Sequence, residues 1–233
     1  YAGNLEYTDP LIQQWAECAA RAELGARPAA RRGDMTEEDR VFALDIENRD
    51  NLDKEMTEMT EGVEKKYGFM PNIFKAFKTD NQRLRAFMTP YMELMRPDSG
   101  ISHLEHEMIA LVSAATNGCV YCTAHHGMLM RAESGDPQFA EYLSRNYKLA
   151  DLSDRHRAML DFVVKVHRNA EEIDDDDRQA LRDVGFTDEA IWMIISTACF
   201  YASSNRMAQA IGLRPLPQYL EMYREPKKAQ AAE

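Results

Sequence analysis

The sequence is short of cysteine and of positive charge, and it has no long hydrophobic run. Four cysteines among 233 residues are too few and too widely spread for a secreted disulfide framework. In a reducing compartment such residues more often serve redox chemistry or bind metal. Acidic side chains outnumber basic ones, for a formal net charge of −11, which argues against binding to nucleic acid or to an anionic membrane. No segment approaches the roughly 18 apolar residues of a membrane span.

These absences favour a cytoplasmic protein that has no nucleic-acid or membrane partner. The first residue is Tyr1 and not Met, so the sequence is also compatible with a targeting peptide that has been removed, for example on entry into an organelle.

The sequence also lacks the apolar–polar alternation of β-strands, so the predicted fold class is all-α. The chain is predicted to consist of an N-terminal helical extension and linker (1–50), a helical domain (51–217) and a tail (218–233). In the extension, Asp9 and Pro10 begin a helix that Gly25 ends. Cys18 in this helix and Cys199 in a later apolar helix are predicted to be buried packing residues.

Several helix starts are marked by capping residues. Ser102 and Glu105 form a capping box, and Asp80, Ser153 and Thr187 are predicted N-caps. The segments 102–127 and 187–212 are equal in length, begin with a cap and end at glycine. This similarity predicts a degenerate internal repeat of a helix pair whose second copy serves packing only, with coincidence as the alternative.

The stretch with the clearest chemistry is a Cys-x-x-Cys pair that follows the breaker Asn117-Gly118. Cys119 and Cys122 are expected at a helix start, and His126 lies on the same helix face because residues three and four apart are neighbours. Glu107 lies on the preceding helix. The helix macrodipole and a nearby basic group both favour a thiolate, which is the nucleophilic form of sulfur.

These residues alone leave several functions open. The pair can serve a thiol–disulfide oxidoreductase that does not use peroxide. Cys119, Cys122, His126 and Glu107 together have the ligand number that zinc requires. A non-catalytic helical assembly module in which the cysteines only pack is the third alternative. Among the other histidines, His125 is predicted to be a neighbour of His126 without a role. His103, His106, His156 and His167 are predicted to be surface groups.

The spacing from Glu107 through both cysteines to His126 resembles the signature of the carboxymuconolactone decarboxylase superfamily. More narrowly, it resembles the alkylhydroperoxidase AhpD-like, peroxidase-related branch. The resemblance extends over roughly residues 56–217 and includes three further stretches, 67–72, 105–111 and 205–212.

The resemblance implies an AhpD-like helical fold, a homo-oligomer (trimer or hexamer) and a thiol peroxidase without cofactor or metal. Its partners would be a hydroperoxide substrate and an external dithiol reductant. Carried over, Cys122 is the nucleophile that attacks peroxide and Cys119 the resolving thiol, while Glu107 and His126 transfer protons. Family members best characterised as hydroperoxidases have histidine between the cysteines, where this chain has Tyr121. A tyrosine titrates near pH 10, so we expect Tyr121 to be at most an auxiliary hydrogen-bond donor, and activity to be lower.

Overall fold

The computed structural model describes residues 40–96 and 98–225, which all belong to one compact unit. The predicted N-terminal helix, Cys18 and the end of the tail lie outside these residues, and the domain boundaries stay predictions. The helices are α1 (Lys54–Tyr67), α2 (Asn72–Phe77), α3 (Asn81–Leu94), α4 (His103–Thr116), α5 (Val120–Ser134), α6 (Pro137–Asn146), α7 (Asp154–Arg168), α8 (Asp175–Asp183), α9 (Asp188–Ala210) and α10 (Gln218–Glu221). The described residues contain no β-strand, so the all-α class is confirmed.

The helix starts follow the local signals in the sequence. At the start of α4, the Glu105 N–H donates to Ser102 Oγ (3.1 Å) and the Ser102 N–H donates to Glu105 Oε2 (2.7 Å). This is the predicted capping box, which satisfies two backbone donors that a helix start leaves free. Asp80, Ser153 and Thr187 cap α3, α7 and α9 in the predicted way.

Helix α4 lies at the centre of the fold. It packs against α5, α7 and α9, and its residues are buried without interruption from Glu105 to Ala114. Its apolar side chains belong to two buried clusters, one shared mainly with α7, α8 and α9 and the other with α1, α3 and α5. Because other helices cover α4 on all sides, a polar side chain in its middle has to find its partners inside the protein.

The proposed repeat differs in structure between its two segments. The first, 102–127, contains α4, a break at 117–119 and part of α5, whereas the second forms one uninterrupted helix, α9. Gly127 lies inside α5 and does not end a helix. The two segments are therefore similar in length and N-cap, but the second is not a helix pair.

The chain ahead of α1 lies against the end of α9. The Ala43 N–H donates to the Ile211 carbonyl (2.8 Å), and the Arg214 N–H donates to the Val41 carbonyl (3.1 Å). Between these bonds Gly212 has a φ of 66°, and a Cβ at Gly212 would lie 2.7 Å from the Ala43 Cβ. This close approach requires glycine.

Gly212→Ala is expected to lower the free energy of unfolding by about 2–3 kcal/mol, measured by urea denaturation. The left-handed φ costs about 1–2 kcal/mol for a residue with a Cβ, and the contact with Ala43 adds to it. Gly68→Ala is the control for φ alone, since Gly68 has a φ of 77° and open space around it. Gly62→Ala, inside α1 with nothing within 4 Å, should stabilise by about 0.5–1 kcal/mol. Equal losses at Gly212 and Gly68 would show that the close approach does not matter.

Candidate active site

The two cysteines of the Cys-x-x-Cys pair lie at the start of α5, as predicted. Cys119 is the N-cap residue, and its Sγ accepts the Cys122 backbone N–H at 3.3 Å. The two residues form a disulfide, with their Cα atoms 5.3 Å apart. A helix start therefore holds the pair within bonding distance, with the Cys119 sulfur at the end of the helix where a negative charge is favoured.

The two sulfurs differ in access. Both cysteines are buried, with 1% of Cys119 and 6% of Cys122 exposed. Both cysteines belong to the same core cluster, and the Cys119 N–H donates to the Ala114 carbonyl at the end of α4 (2.9 Å). Of the two, Cys122 also forms part of the wall of a cavity. A small molecule in that cavity would meet the second sulfur first.

Glu107 and His126, the two proton carriers that the resemblance implies, lie beside each other. Glu107 Oε2 lies 3.0 Å from His126 Nδ1, and the two residues are 1% and 8% exposed. An ionised carboxylate can only accept a hydrogen bond, so in the neutral imidazole tautomer that donates to such a carboxylate the proton is on Nδ1 and the lone pair on Nε2. The arrangement suits a histidine that takes up a proton and shares the resulting charge with a buried carboxylate.

The cavity beside Cys122 has a volume of about 210 Å³. His126 and Asn205 also line it, while its other walls are largely apolar and aromatic and come from α1, α2, α3 and α9. These walls include Tyr67, Phe74, Phe87, Met88, Tyr91 and Tyr201. Typical small-molecule pockets are about 300–1,000 Å³, so this one suits a small ligand with an apolar body.

Three tyrosines on the wall are held in their protonated form. Burial raises the pKa of Tyr67 to about 12, and the negative charge of Glu107 raises it further. Burial and Glu107, in that order, also raise the pKa of Tyr91 and of Tyr201. At neutral pH these hydroxyls can donate hydrogen bonds, but they do not lose their protons.

Tyr121, between the two cysteines, is fixed by hydrogen bonds within the fold. The Ile73 N–H donates to its hydroxyl (3.0 Å), and its hydroxyl shares a hydrogen bond with that of Tyr219 (3.3 Å). Burial and the nearby Tyr219 raise its pKa well above the usual value. These contacts support the expectation that Tyr121 does not shuttle protons, and they fix the wall next to Cys122.

Helix α10 closes one side of this region. Its Tyr219 is held there by the buried Arg131 of α5. The Arg131 guanidinium donates to the Tyr219 carbonyl (2.5 Å) and to the Met222 carbonyl (3.0 Å). The Tyr219 ring packs edge-on against His125, with ring centroids 5.0 Å apart. Burial, followed by the neighbouring His126, lowers the pKa of His125 to about 3, so this imidazole is neutral at physiological pH.

Three predictions of burial are wrong. His106 is buried and not on the surface, with its ring nitrogens 3.4 Å from Ser99 Oγ and from Thr197 Oγ1. His167 is half-buried, and its Nε2 lies 2.7 Å from Ser113 Oγ. Cys199 is exposed and not part of the core. The surrounding helices cover the middle of α4, from Glu105 to Ala114, but they leave the face of α9 that carries Cys199 open.

Among the residues that the structure describes, no three His, Cys, Asp or Glu side chains are arranged so that they could hold a metal ion. Within the same residues, no helix is both long enough and apolar enough to cross a membrane.

The fold and the thiol site define a helical protein of the AhpD-like type. The model of the carboxymuconolactone decarboxylase family matches residues 82–141, which include Glu107, both cysteines of the pair and His126. A peroxidase-related protein from Silicibacter sp. TM1040, itself uncharacterised, is 40% identical with a TM-score of 0.76; the match covers 82% of this chain and 100% of that protein. The chain belongs to the carboxymuconolactone decarboxylase superfamily, in its AhpD-like branch.

Two further solved structures are similar. An uncharacterised peroxidase-related protein from Ralstonia eutropha JMP134, described as an alkylhydroperoxidase AhpD core, is 39% identical with a TM-score of 0.72. The match covers 76% of this chain and 93% of that one. The debrominase Bmp8 is 18% identical with a TM-score of 0.63, over 75% of this chain and 92% of its own, and shares the fold alone. No curated protein matches the chain in sequence.

The sequence did not reveal the residues that complete the cavity. Tyr67, Tyr91, Tyr201 and Asn205 come from three helices far apart in the chain, and no local spacing links them to the cysteines. Asn205 was part of a stretch that resembles the family, but nothing in that stretch marked its side chain as part of the site.

Proposed function

We propose that the protein is a thiol-dependent hydroperoxide reductase that cycles Cys119 and Cys122 between dithiol and disulfide. The observation that carries this proposal is the unequal placement of the two sulfurs. Cys122 shares the wall of a small apolar cavity with His126, whose Nδ1 is held by Glu107. Cys119 lies within disulfide distance but is not among the residues that line the cavity.

In the first step, the Cys122 thiolate attacks the terminal oxygen of the hydroperoxide. The S–O bond forms as the O–O bond breaks, so the sulfur is oxidised to a sulfenic acid and an alkoxide leaves. His126 Nε2 takes the thiol proton and passes it to the alkoxide, which leaves as an alcohol, while Glu107 stabilises the imidazolium.

In the second step, the Cys119 thiol attacks the sulfenic sulfur, and water leaves as the disulfide forms. An external dithiol then reduces the pair by exchange, so two thiols reduce one peroxide to an alcohol and water. The reductant has to attack Cys122, because Cys119 is buried behind it. Cys119 is then the leaving thiolate, at the helix start that favours its charge. This cycle requires a reducing compartment, and we propose the cytoplasm.

We further propose that the protein acts as a homo-oligomer, a trimer or a hexamer. Large apolar side chains are exposed on α3 and α9, namely Met92, Trp192 and Met207, and exposed apolar surface of this kind often marks an interface. Light scattering measures the mass in solution, and a monomer would contradict the proposal.

Peroxide consumption by the purified protein with an excess of dithiothreitol tests the proposed activity. An organic hydroperoxide such as tert-butyl hydroperoxide should be consumed catalytically, with one dithiol oxidised per peroxide. Reduction of insulin or of a small disulfide, with peroxide left untouched, would instead indicate the oxidoreductase alternative. Stoichiometric zinc in the same sample would indicate the metal-site alternative if a chelator removed the zinc and the protein unfolded as a result.

A further inference from the structure

We propose that Asn205 is a substrate-binding residue whose carboxamide holds the hydroperoxide group beside Cys122. This inference rests on the proposed peroxide activity and adds a residue to it. Asn205 is 0% exposed, and it lines the same cavity as Cys122 and His126. Neither Oδ1 nor Nδ2 of its side chain has a hydrogen-bond partner among the described residues.

A fully buried amide without partners is unusual, because burying an unpaired donor and acceptor is unfavourable. Two other asparagines each have a side-chain partner. The Asn117 side chain bonds to His167 (3.3 Å), and the Asn72 Nδ2 donates to the Arg214 carbonyl (2.8 Å), although Asn72 Oδ1 has no partner among the described residues. Of the four unpaired buried side-chain atoms in the described part of the chain, three belong to Asn205 and His125, and both residues line this one cavity. The unpaired polar atoms are therefore concentrated where a ligand would sit.

The position of Asn205 on α9 connects it to the thiol site. Tyr201 lies four residues earlier, on the same helix face, and its ring packs edge-on against His126 with centroids 4.9 Å apart. Asn205 is thus one helical turn from the residue that contacts the proposed proton carrier. Since α9 is continuous from Asp188 to Ala210, the carboxamide is presented by a regular helix and not by a loop.

A carboxamide matches a hydroperoxide group in its hydrogen bonding. The –O–O–H group has one donor and two acceptor oxygens, and the amide offers one acceptor and two donors. The hydroperoxide O–H can donate to Oδ1 while Nδ2 donates to the inner oxygen, which becomes the leaving alkoxide. This second bond strengthens as charge develops on that oxygen. Asn205 neither gains nor loses a proton in this step, in which the S–O bond forms and the O–O bond breaks.

The same match gives selectivity. A disulfide has no O–H group that could donate to Oδ1. The product alcohol has a single oxygen, which is less well placed than the two oxygens of the peroxide to bond to both Oδ1 and Nδ2. Asn205 should therefore favour the peroxide over a disulfide substrate and favour release of the product.

Asn205→Leu tests this role because leucine is similar in size and removes both polar atoms. Stopped-flow measurement of the reduced protein with tert-butyl hydroperoxide should show a first-step rate constant about 100-fold lower than in the wild type. Alkylation of Cys122 by iodoacetamide, which has no peroxide group, should change less than about twofold, and the melting temperature should stay the same or rise because an unpaired amide has been removed.

Three other results would overturn either the role of Asn205 or the proposed peroxide activity. An unchanged peroxide rate in Asn205→Leu, beside a reactive wild type, overturns this inference and leaves the proposed function standing. A parallel fall in peroxide rate and alkylation, or a lower melting temperature, overturns it too, since the amide would then serve the structure, for example through a buried water. A wild type that alkylates normally but does not react with hydroperoxide overturns the proposed function itself.

Discussion

Cys122→Ser is expected to abolish peroxide consumption, with a fall of at least about 10³-fold, which is typical of losing a nucleophile. Cys122 is the cysteine of the pair that lines the cavity, and a serine hydroxyl is too weak a nucleophile to replace the thiolate. The rate is measured as loss of tert-butyl hydroperoxide in the presence of dithiothreitol.

Cys119→Ser should behave differently, because the first step does not need the second sulfur. The reduced variant should consume one equivalent of peroxide and then stop with Cys122 as a sulfenic acid, which dimedone traps. Cys199→Ser is the matched control, since Cys199 is free and exposed and does not line the cavity, and it should retain full activity. If Cys119→Ser consumed no peroxide in the first turnover while Cys122→Ser did, Cys119 would be the nucleophile and Cys122 the resolving thiol.

Glu107→Gln is expected to lower the first-step rate constant about 100-fold, within the range of general acid–base contributions. The buried carboxylate fixes the proton on His126 Nδ1 through the 3.0 Å contact and stabilises the imidazolium that forms when the Cys122 thiol gives up its proton. A neutral amide removes that stabilisation. Unlike Asn205→Leu, this change should also slow alkylation of Cys122 by iodoacetamide, because both reactions need the thiolate.

Glu105 offers a matched control two residues away on the same helix. It is also buried, but it caps α4 and bonds to the Arg155 guanidinium (2.8 Å). Glu105→Gln should therefore lower the free energy of unfolding by about 1–3 kcal/mol and leave the peroxide rate within about twofold. If the two variants lose the same activity, the role of Glu107 is structural and the proposed proton transfer is wrong.

The sequence predicted the features that depend on residues close together in the chain, such as helix starts. The capping box at Ser102 and Glu105 depends on residues three apart, and so does the placement of Cys119 and Cys122 at a helix start. Both features need no knowledge of distant contacts, and the structure has them as expected. The resemblance to the family gave Glu107 and His126 their proposed roles, but their 3.0 Å contact was not predicted.

Burial was harder to predict because it depends on which helices cover a face. His106 looked like a surface residue, but the middle of α4 has no open face, so the histidine lies between Ser99 and Thr197. Cys199 lies in an apolar run and looked like core, yet it is exposed. The cavity is harder still, since Asn205 and the three tyrosines meet Cys122 only after several helices have packed together.

The proposed cycle requires peroxide to convert these two particular thiols into one disulfide. Its most direct test is the mass of the peptide that contains Cys119 and Cys122, measured after the reduced protein has met one equivalent of tert-butyl hydroperoxide. We expect a peptide lighter by two hydrogens, with Cys199 still reduced and the peroxide consumed. Two intact thiols beside unconsumed peroxide, or oxidation confined to methionine, would contradict it.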